Sequence, residues 1–299
     1  NTTSNVLKGF GQFMSSGTWA SGAALPTGYN GLGGFGTSTA AIMAGSPAPT
    51  GFSYDGTTWT ATPSLNDSGP TRYYPGSLGT VQNAGMILGA EGSNQPSSET
   101  WNGSTWTQGN ALTTGRDFMG GCGTTTAGMI TGGVFPTTTP VANTETYDGT
   151  SWSETTNFPT VMMGGQMGGT TTAAINATGA NDPGTATMEL PSYDWNGSTW
   201  TAGPDINTGR HMGGGDSPSA SLMLIWGGLT PPSTYRAQTE FYDGTAWTEL
   251  ADLATARRSY GACGTHTAAL FAGGSTGGNS DATEEWTSTT SSIKTFTAS

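Results

Sequence analysis

The sequence predicts an all-β chain folded as a six-bladed β-propeller with four-stranded antiparallel blades. Three observations predict it. A short aromatic segment ending in tryptophan returns at nearly constant spacing, with the terminal tryptophans at Trp19, Trp59, Trp106, Trp152, Trp200 and Trp247. Five of these segments enclose an Asp-Gly or Asn-Gly pair. Each interval also holds a glycine-rich stretch followed by an apolar one.

The intervals between the tryptophans are 40, 47, 46, 48 and 47 residues. Self-similarity at such a period marks a repeat architecture, and for short strands it marks propeller blades. Each unit opens with a loop. A glycine-rich strand follows, as in Phe118-Met119-Gly120-Gly121-Cys122-Gly123, and then an apolar strand ending in glycine, as in Ala127-Gly128-Met129-Ile130-Thr131-Gly132-Gly133. Segments 41–45, 85–89, 173–179, 222–228 and 269–274 are equivalents of the second strand. A variable Pro/Thr-rich loop leads to the last two strands, which form a hairpin.

The hairpin reads Tyr-Asp-Gly-Thr-Thr-Trp at 54–59, Trp-Asn-Gly-Ser-Thr-Trp at 101–106, Tyr-Asp-Gly-Thr-Ser-Trp at 147–152, Trp-Asn-Gly-Ser-Thr-Trp at 195–200 and Tyr-Asp-Gly-Thr-Ala-Trp at 242–247. The turn pairs are Asp55-Gly56, Asn102-Gly103, Asp148-Gly149, Asn196-Gly197 and Asp243-Gly244. Asn-Gly and Asp-Gly between strand-like residues favour a two-residue type I′ turn. That turn would place Tyr54 opposite Thr57, making Tyr54 and Trp59 diagonal neighbours on one face.

One four-stranded sheet cannot bury both of its faces. Stacking it on copies of itself around a closed ring does. Crowding near the axis accounts for glycine in the inner strands, and the aromatic pairs should fill the wider space between the outer parts of the blades. Residues 1–16 form an N-terminal extension and 17–299 the propeller, with units near 20–61, 62–108, 109–154, 155–202, 203–249 and 250–299. Two segments compete for the outer strand of the last blade. One ends in Gly17-Thr18-Trp19-Ala20; the other is Ile293-Lys294-Thr295-Phe296-Thr297, with Trp286 and Phe296 standing in for Tyr242 and Trp247. Closure by the N-terminal strand ties the ring shut and is the preferred expectation.

Composition narrows the role. The chain of 299 residues carries 8 Lys and Arg against 20 Asp and Glu, a formal charge of −12. A field of that sign repels nucleic acid and anionic lipid, so no nucleic-acid partner is expected. No run reaches the 18 apolar residues of a membrane span, so no membrane insertion is expected. Hydrophobic residues make up only 33%, yet ten Trp, nine Tyr and ten Phe supply large groups to bury.

Charged residues fall into columns. Arg116, Arg210 and Arg257 each lie ten residues after a terminal tryptophan, and Arg72 sits similarly in a longer loop. Glu99, Glu145, Glu240 and Glu284 recur just ahead of the third strand's aromatic residue. The arginines could form a partial ring holding an anion or partner near one channel mouth, or could bridge blades through carboxylates or backbone carbonyls. Tyr235 and Arg236, in one variable loop, are a candidate contact pair. Loops 92–98, 135–143, 181–191 and 230–238 all follow the second strand and so should emerge on one face.

Cys122 and Cys263 occupy equivalent positions in the third and sixth units. Opposed blades hold them too far apart for a disulfide, so buried thiols are expected. His211 and His266 sit at different repeat positions. No metal-ligand spacing exists, and Asp205, Asp216 and Asp252 are scattered outside any calcium loop. No cofactor, metal site or catalytic set is expected. Asp55, Asp148 and Asp243 are turn formers that asparagine replaces in two units, so the chain does not read as a glycoside hydrolase with paired carboxylates.

The repeat resembles the kelch-type propeller, in which a double glycine follows the second strand and a tyrosine and a tryptophan flank a turn. Gly132-Gly133, Gly227-Gly228 and Gly273-Gly274 carry that pattern, while other units keep one glycine, at Gly45, Gly89 and Gly179. It is more similar to kelch-like repeat proteins of marine tailed phages, in units such as Ala251-Asp252-Leu253-Ala254-Thr255-Ala256-Arg257 and in the closing Thr283-Glu284-Glu285-Trp286. This resemblance implies a non-enzymatic virion module, in the tail or as a capsid decoration, at an extracellular particle surface. Its partners would be other virion proteins or further copies of itself. A carbohydrate- or host-receptor-binding propeller on a tail fibre is the alternative, and a glycan-active hydrolase a more distant one.

Overall fold

The computed structural model describes residues 10–14, 16–45, 50–66, 72–89, 97–136, 138–182, 191–258, 261–288 and 291–295. Six antiparallel four-stranded sheets stand around one axis. Blade 1 comprises Leu32–Thr37, Ala40–Gly45, Thr50–Tyr54 and Trp59–Thr62. Blade 2 comprises Gly76–Val81, Ala84–Leu88, Ser98–Trp101 and Trp106–Gln108. Blade 3 comprises Gly120–Thr124, Ala127–Thr131, Thr144–Tyr147 and Trp152–Glu154. Blade 4 comprises Gln166–Thr170, Ala173–Ala177, Pro191–Trp195 and Trp200–Asp205. Blade 5 comprises Gly214–Asp216, Met223–Trp226, Thr239–Tyr242 and Trp247–Glu249. Blade 6 takes Ala262–Gly264, Ala268–Ala272 and Thr283–Ser288 from the C-terminal part, and Gly17–Ser21 from the N-terminal part.

The ring is therefore closed by the N-terminal strand. Trp19 pairs with Trp286, and the register runs from Gly17 opposite Ser288 to Ser21 opposite Glu284. The two ends meet again outside the ring, where Phe10–Met14 pairs with Ser291–Thr295. Part of the N-terminal extension is thus a strand. Phe296 lies outside the described residues, and Trp19 takes the place the sequence offered to it.

The hairpin turns differ from expectation. Tyr54 pairs directly with Trp59, so the loop has four residues rather than two. A type I′ turn needs positive φ at both central residues. Gly56 has it, at 90°, while Asp55 is not among the positive-φ residues. The Asp55 carboxylate instead accepts the backbone N–H groups of Thr57 and Thr58 at 2.8 and 2.7 Å, and this side-chain cap replaces the tighter backbone turn. Asn102, Asp148, Asn196 and Asp243 cap their turns in the same way. Tyr54 and Trp59 are consequently cross-strand neighbours, with ring centroids 4.7 Å apart. Such aromatic contacts add to the burial of their area.

The core is six apolar seams between blades. Phe35, Ile42 and Ala44 of blade 1 meet Ile87, Trp101 and Trp106 of blade 2, and the other five junctions are built alike. Near the axis the inner strands approach so closely that a Cβ on Gly34 would stand 2.7 Å from the Ala262 carbonyl oxygen, and one on Gly121 2.7 Å from that of Ser77. Only glycine fits there.

Candidate functional site

Antiparallel order sorts the loops by face. Connections from the second to the third strand, and from the fourth strand to the next blade, emerge together on one face, here called the upper face. The capped Asp-Gly and Asn-Gly turns lie on the opposite face, where Gly56 packs beside Thr39 and Gly149 beside Thr126, in the first hairpins of their own blades. The lower face repeats the capped turn in five blades, with one longer first hairpin at 217–222 in blade 5; the upper face carries the loops between second and third strands, which differ most in length.

The arginine column begins the upper face. Arg72, Arg116, Arg210 and Arg257 are all buried, each ion-paired to the glutamate of its own blade's third strand. The pairs are Arg72–Glu99 at 3.1 Å, Arg116–Glu145 at 2.6 Å, Arg210–Glu240 at 2.8 Å, and Arg257–Glu284. The second carboxylate oxygen accepts a backbone N–H from the loop leading to the arginine: Asn66, Thr113, Asn207 or Ala254. Burial pulls the Arg116 and Arg210 guanidiniums below their ordinary value, and the adjacent glutamate opposes it. These guanidiniums stand inside the blades, not as an open ring at the channel mouth. The bonds of the Arg116, Arg210 and Arg257 side chains among the described residues stay within their own blades. The backbone bridges blades: the carbonyl oxygens of Arg210 and Arg257 accept the N–H groups of Gly179 and Gly228 from the preceding blade, at 3.0 and 2.9 Å.

Two residues beyond the arginine position the chain circles the mouth. Gly31, Tyr74, Phe118, Gly164 and Met212 occupy this place in blades 1 to 5, and all have positive φ, from 51° to 80°. Tyr74 donates to the Gly31 carbonyl, Phe118 to Tyr74, Gly164 to Phe118 and Met212 to Gly164, at 2.8 to 3.0 Å. The left-handed backbone is strained for Tyr, Phe and Met. It aims each N–H and C=O at the two neighbouring blades. The equivalent residue of blade 6, 259, lies outside the described residues.

Between the arginine and this ring stands one more repeat position. In blades 4, 5 and 6 it is Met163, His211 and Arg258. These three line one cleft of about 260 Å³ on the upper face, together with Met212, Leu229, Pro231, Pro232, Ser233 and Tyr235. Tyr235 reaches it from a small hairpin in which Leu229–Thr230 pairs with Thr234–Tyr235. Its hydroxyl lies 3.4 Å from the Ser275 hydroxyl. Arg236 is not in the cleft wall; its Nε donates to the Thr230 hydroxyl at 2.9 Å. The anticipated contact pair is thus split, with the tyrosine facing the cleft. His211 is 3% exposed, and neither ring nitrogen has a hydrogen-bond partner. Burial, and then the nearby Arg258, lower its imidazole to about 4, so it is neutral at pH 7.

The channel holds a third feature. Asp216 projects from the inner strand of blade 5 and accepts the Gly264 N–H of blade 6 at 3.1 Å. It lines the channel with Cys122, where free space is only about 50 Å³. Burial pushes its carboxyl up to about 7, against hydrogen bonds from the Gly264 and Ser217 backbone. Cys122 and Cys263 are free and buried thiols, raised by burial and by Asp216. Asp216 lies sixteen residues after Trp200, as the cysteines do after Trp106 and Trp247, so the three share one repeat position. Counting from the tryptophan would have found it; it reads as scattered only without the repeat frame. Loop residues 92–96, 137 and 183–190 lie outside the described residues. Among the described residues no group of His, Cys, Asp and Glu could hold a metal ion.

No family model matches the chain, and no curated protein does. Solved structures do. That of YjhT superposes with a TM-score of 0.71 over 88% of this chain and 96% of that one, at 14% identity. At that identity the likeness is one of fold, and it establishes a six-bladed β-propeller, a scaffold compatible with binding roles.

Proposed function

We propose that this chain is a non-enzymatic binding module of a phage particle, held at the particle surface through contacts of its upper face with other virion proteins. One observation carries the reading. The loops between second and third strands, which differ most in length and sequence, share a single face of a rigid ring, while the opposite face repeats one capped turn. A scaffold that fixes its loops on one side presents a surface whose sequence can change without cost to the fold.

The acidic residues support the non-enzymatic part. Glu99, Glu145, Glu240 and Glu284 are held by buried arginines, and Asp55, Asp148 and Asp243 cap turns on the far face. These carboxylates do not converge across a cleft as paired catalytic acids must. The particle assignment rests on the similarity of the repeats to those of kelch-like proteins of marine tailed phages. Mass spectrometry and cryo-microscopy of particles purified from the source test it. The chain should be present in fixed copy number with its upper face against a neighbour; its absence from intact particles overturns the reading.

A further inference from the structure

The chain carries 6 arginines. Four are held by glutamates inside the blades. The other two, Arg236 and Arg258, have no carboxylate partner among the described residues, and Arg258 lines the upper-face cleft. In a chain of net charge −12, an unpaired guanidinium beside a cleft is an unusual place for positive potential.

Further features of the cleft point the same way. Its walls are mixed: apolar side chains of Met163, Met212, Leu229, Pro231 and Pro232 stand beside the polar groups of His211, Ser233, Tyr235 and Arg258. His211 lies on it nine-tenths buried, with two unpartnered ring nitrogens, one a donor and one an acceptor in the neutral ring. A buried polar group left unpaired is destabilising, so a ligand that satisfied it would recover stability. Arg258 makes only a weak contact through its own guanidinium, to the Met212 sulfur at 3.5 Å. Among the described residues no carboxylate lines the cleft.

We propose that this cleft binds a small organic acid, its carboxylate on Arg258 and its apolar body between Met212 and Pro231–Pro232, with His211 and the Tyr235 hydroxyl as further hydrogen-bonding groups. Guanidinium and carboxylate match in geometry and charge, and the match strengthens where water is excluded. Size agrees: an apolar cavity of about 150 Å³ admits benzene, so 260 Å³ takes a ring with a short acidic arm. The methionine, leucine and proline side chains of the walls favour an acid with an apolar body over a bare phosphate, whose hydration they cannot replace. The site does not rest on the particle assignment.

The test is titration of the full chain at pH 7 with 3-phenylpropionate, alongside 3-phenylpropanol as the uncharged match and sodium phosphate as the bare oxyanion. Binding is followed by calorimetry and by the two histidine Cε1–H resonances, from His211 and His266. The acid should bind and move the His211 signal alone. The alcohol and phosphate should bind at least tenfold more weakly. Arg258→Met should weaken the acid at least tenfold without shifting the melting temperature; if that variant does not fold, Arg258→Gln and the histidine signals of the native chain decide. No saturable binding of the acid, equal binding of phosphate, an unmoved His211 signal, or full affinity in the Arg258 variants overturns the proposal. Such a failure removes the cleft and leaves the particle assignment to its own test.

Discussion

In blade 3 the Arg116 guanidinium donates to the Glu145 carboxylate at 2.6 Å, and neither side chain has any exposure to solvent. Blade 1 solves the same position without charge. Tyr29 stands where the arginine would be and Phe52 where the glutamate would be, with ring centroids 5.2 Å apart. Blade 4 uses Met162 and Tyr193. The ring therefore accepts an ion pair or an apolar pair, but not half of either.

That contrast gives a double-mutant cycle. Glu145→Gln strands a buried guanidinium and should cost about 3–5 kcal/mol, the usual penalty for breaking a buried pair. Arg116→Tyr with Glu145→Phe, copied from blade 1, should recover at least half of that loss. Denaturant midpoints of the single and double variants measure it. A double variant no more stable than the worse single one would show that the pair does not act as a unit.

Ring closure is a second target. The Trp19 indole N–H donates to the Thr239 hydroxyl of blade 5 at 2.8 Å, and its ring lies 5.3 Å from Trp226 and 5.5 Å from Trp286. Trp19→Ala should cost about 2–4 kcal/mol, somewhat less than a fully enclosed tryptophan because one edge is exposed. Removing residues 1–21 deletes the outer strand of blade 6 and should abolish the cooperative thermal transition. A truncated chain that melts like the full one would mean the C-terminal segment can take over the strand.

The fold was legible because tryptophan and the turn pair recur in phase, and a period is readable without contacts. Closure was less so, since both ends of the chain offer a strand of the right pattern and only pairing decides between them. The arginine and glutamate columns were visible separately. Their union was not, because sequence gives the repeat position of Arg116 and Glu145 but not that the first reaches inward to the second. The turn departs from its two-residue expectation because the Asp55 side chain takes the part assigned to the backbone. The cleft was hidden for a different reason: His211, Tyr235 and Arg258 are far apart in the chain, and Arg258 stands next to Arg257, whose column already accounted for an arginine there.

The turn caps predict an acid response. Hydrogen bonds from Thr57 and Thr58 hold the Asp55 carboxyl below its usual range, and Ser151 and Thr150 do the same for Asp148. A carboxyl lowered in the folded state stabilises above its unfolded value and loses that contribution as pH falls through the folded one. The native chain should therefore lose melting temperature as pH drops below about 4. The variant with Asp55→Asn, Asp148→Asn and Asp243→Asn keeps the caps, as Asn102 and Asn196 already do, and should show a shallower decline. Parallel curves for the two proteins would exclude these turns as the source.

Asp216 predicts the opposite sign. Its carboxyl titrates at about 7 in the folded chain against 3.8 unfolded, so the native state binds the extra proton between those values. Stability contributed by this group is then complete below about pH 4, falls as pH rises toward 7, and is flat above. Cys122 and Cys263, the titratable groups beside it, stay protonated throughout because burial raises them. The substitution Asp216→Asn separates the charge from the hydrogen bond, since it retains an acceptor for the Gly264 N–H while removing the ionisation. The variant should match the native chain at pH 4 and exceed it by about 1–2 kcal/mol at pH 8, less than the ~4 kcal/mol the full shift would give, since the side chain is only partly buried. Urea midpoints at both pH values measure the difference. An equal difference at pH 4 and pH 8 would mean that packing in the channel, not the proton, sets the effect.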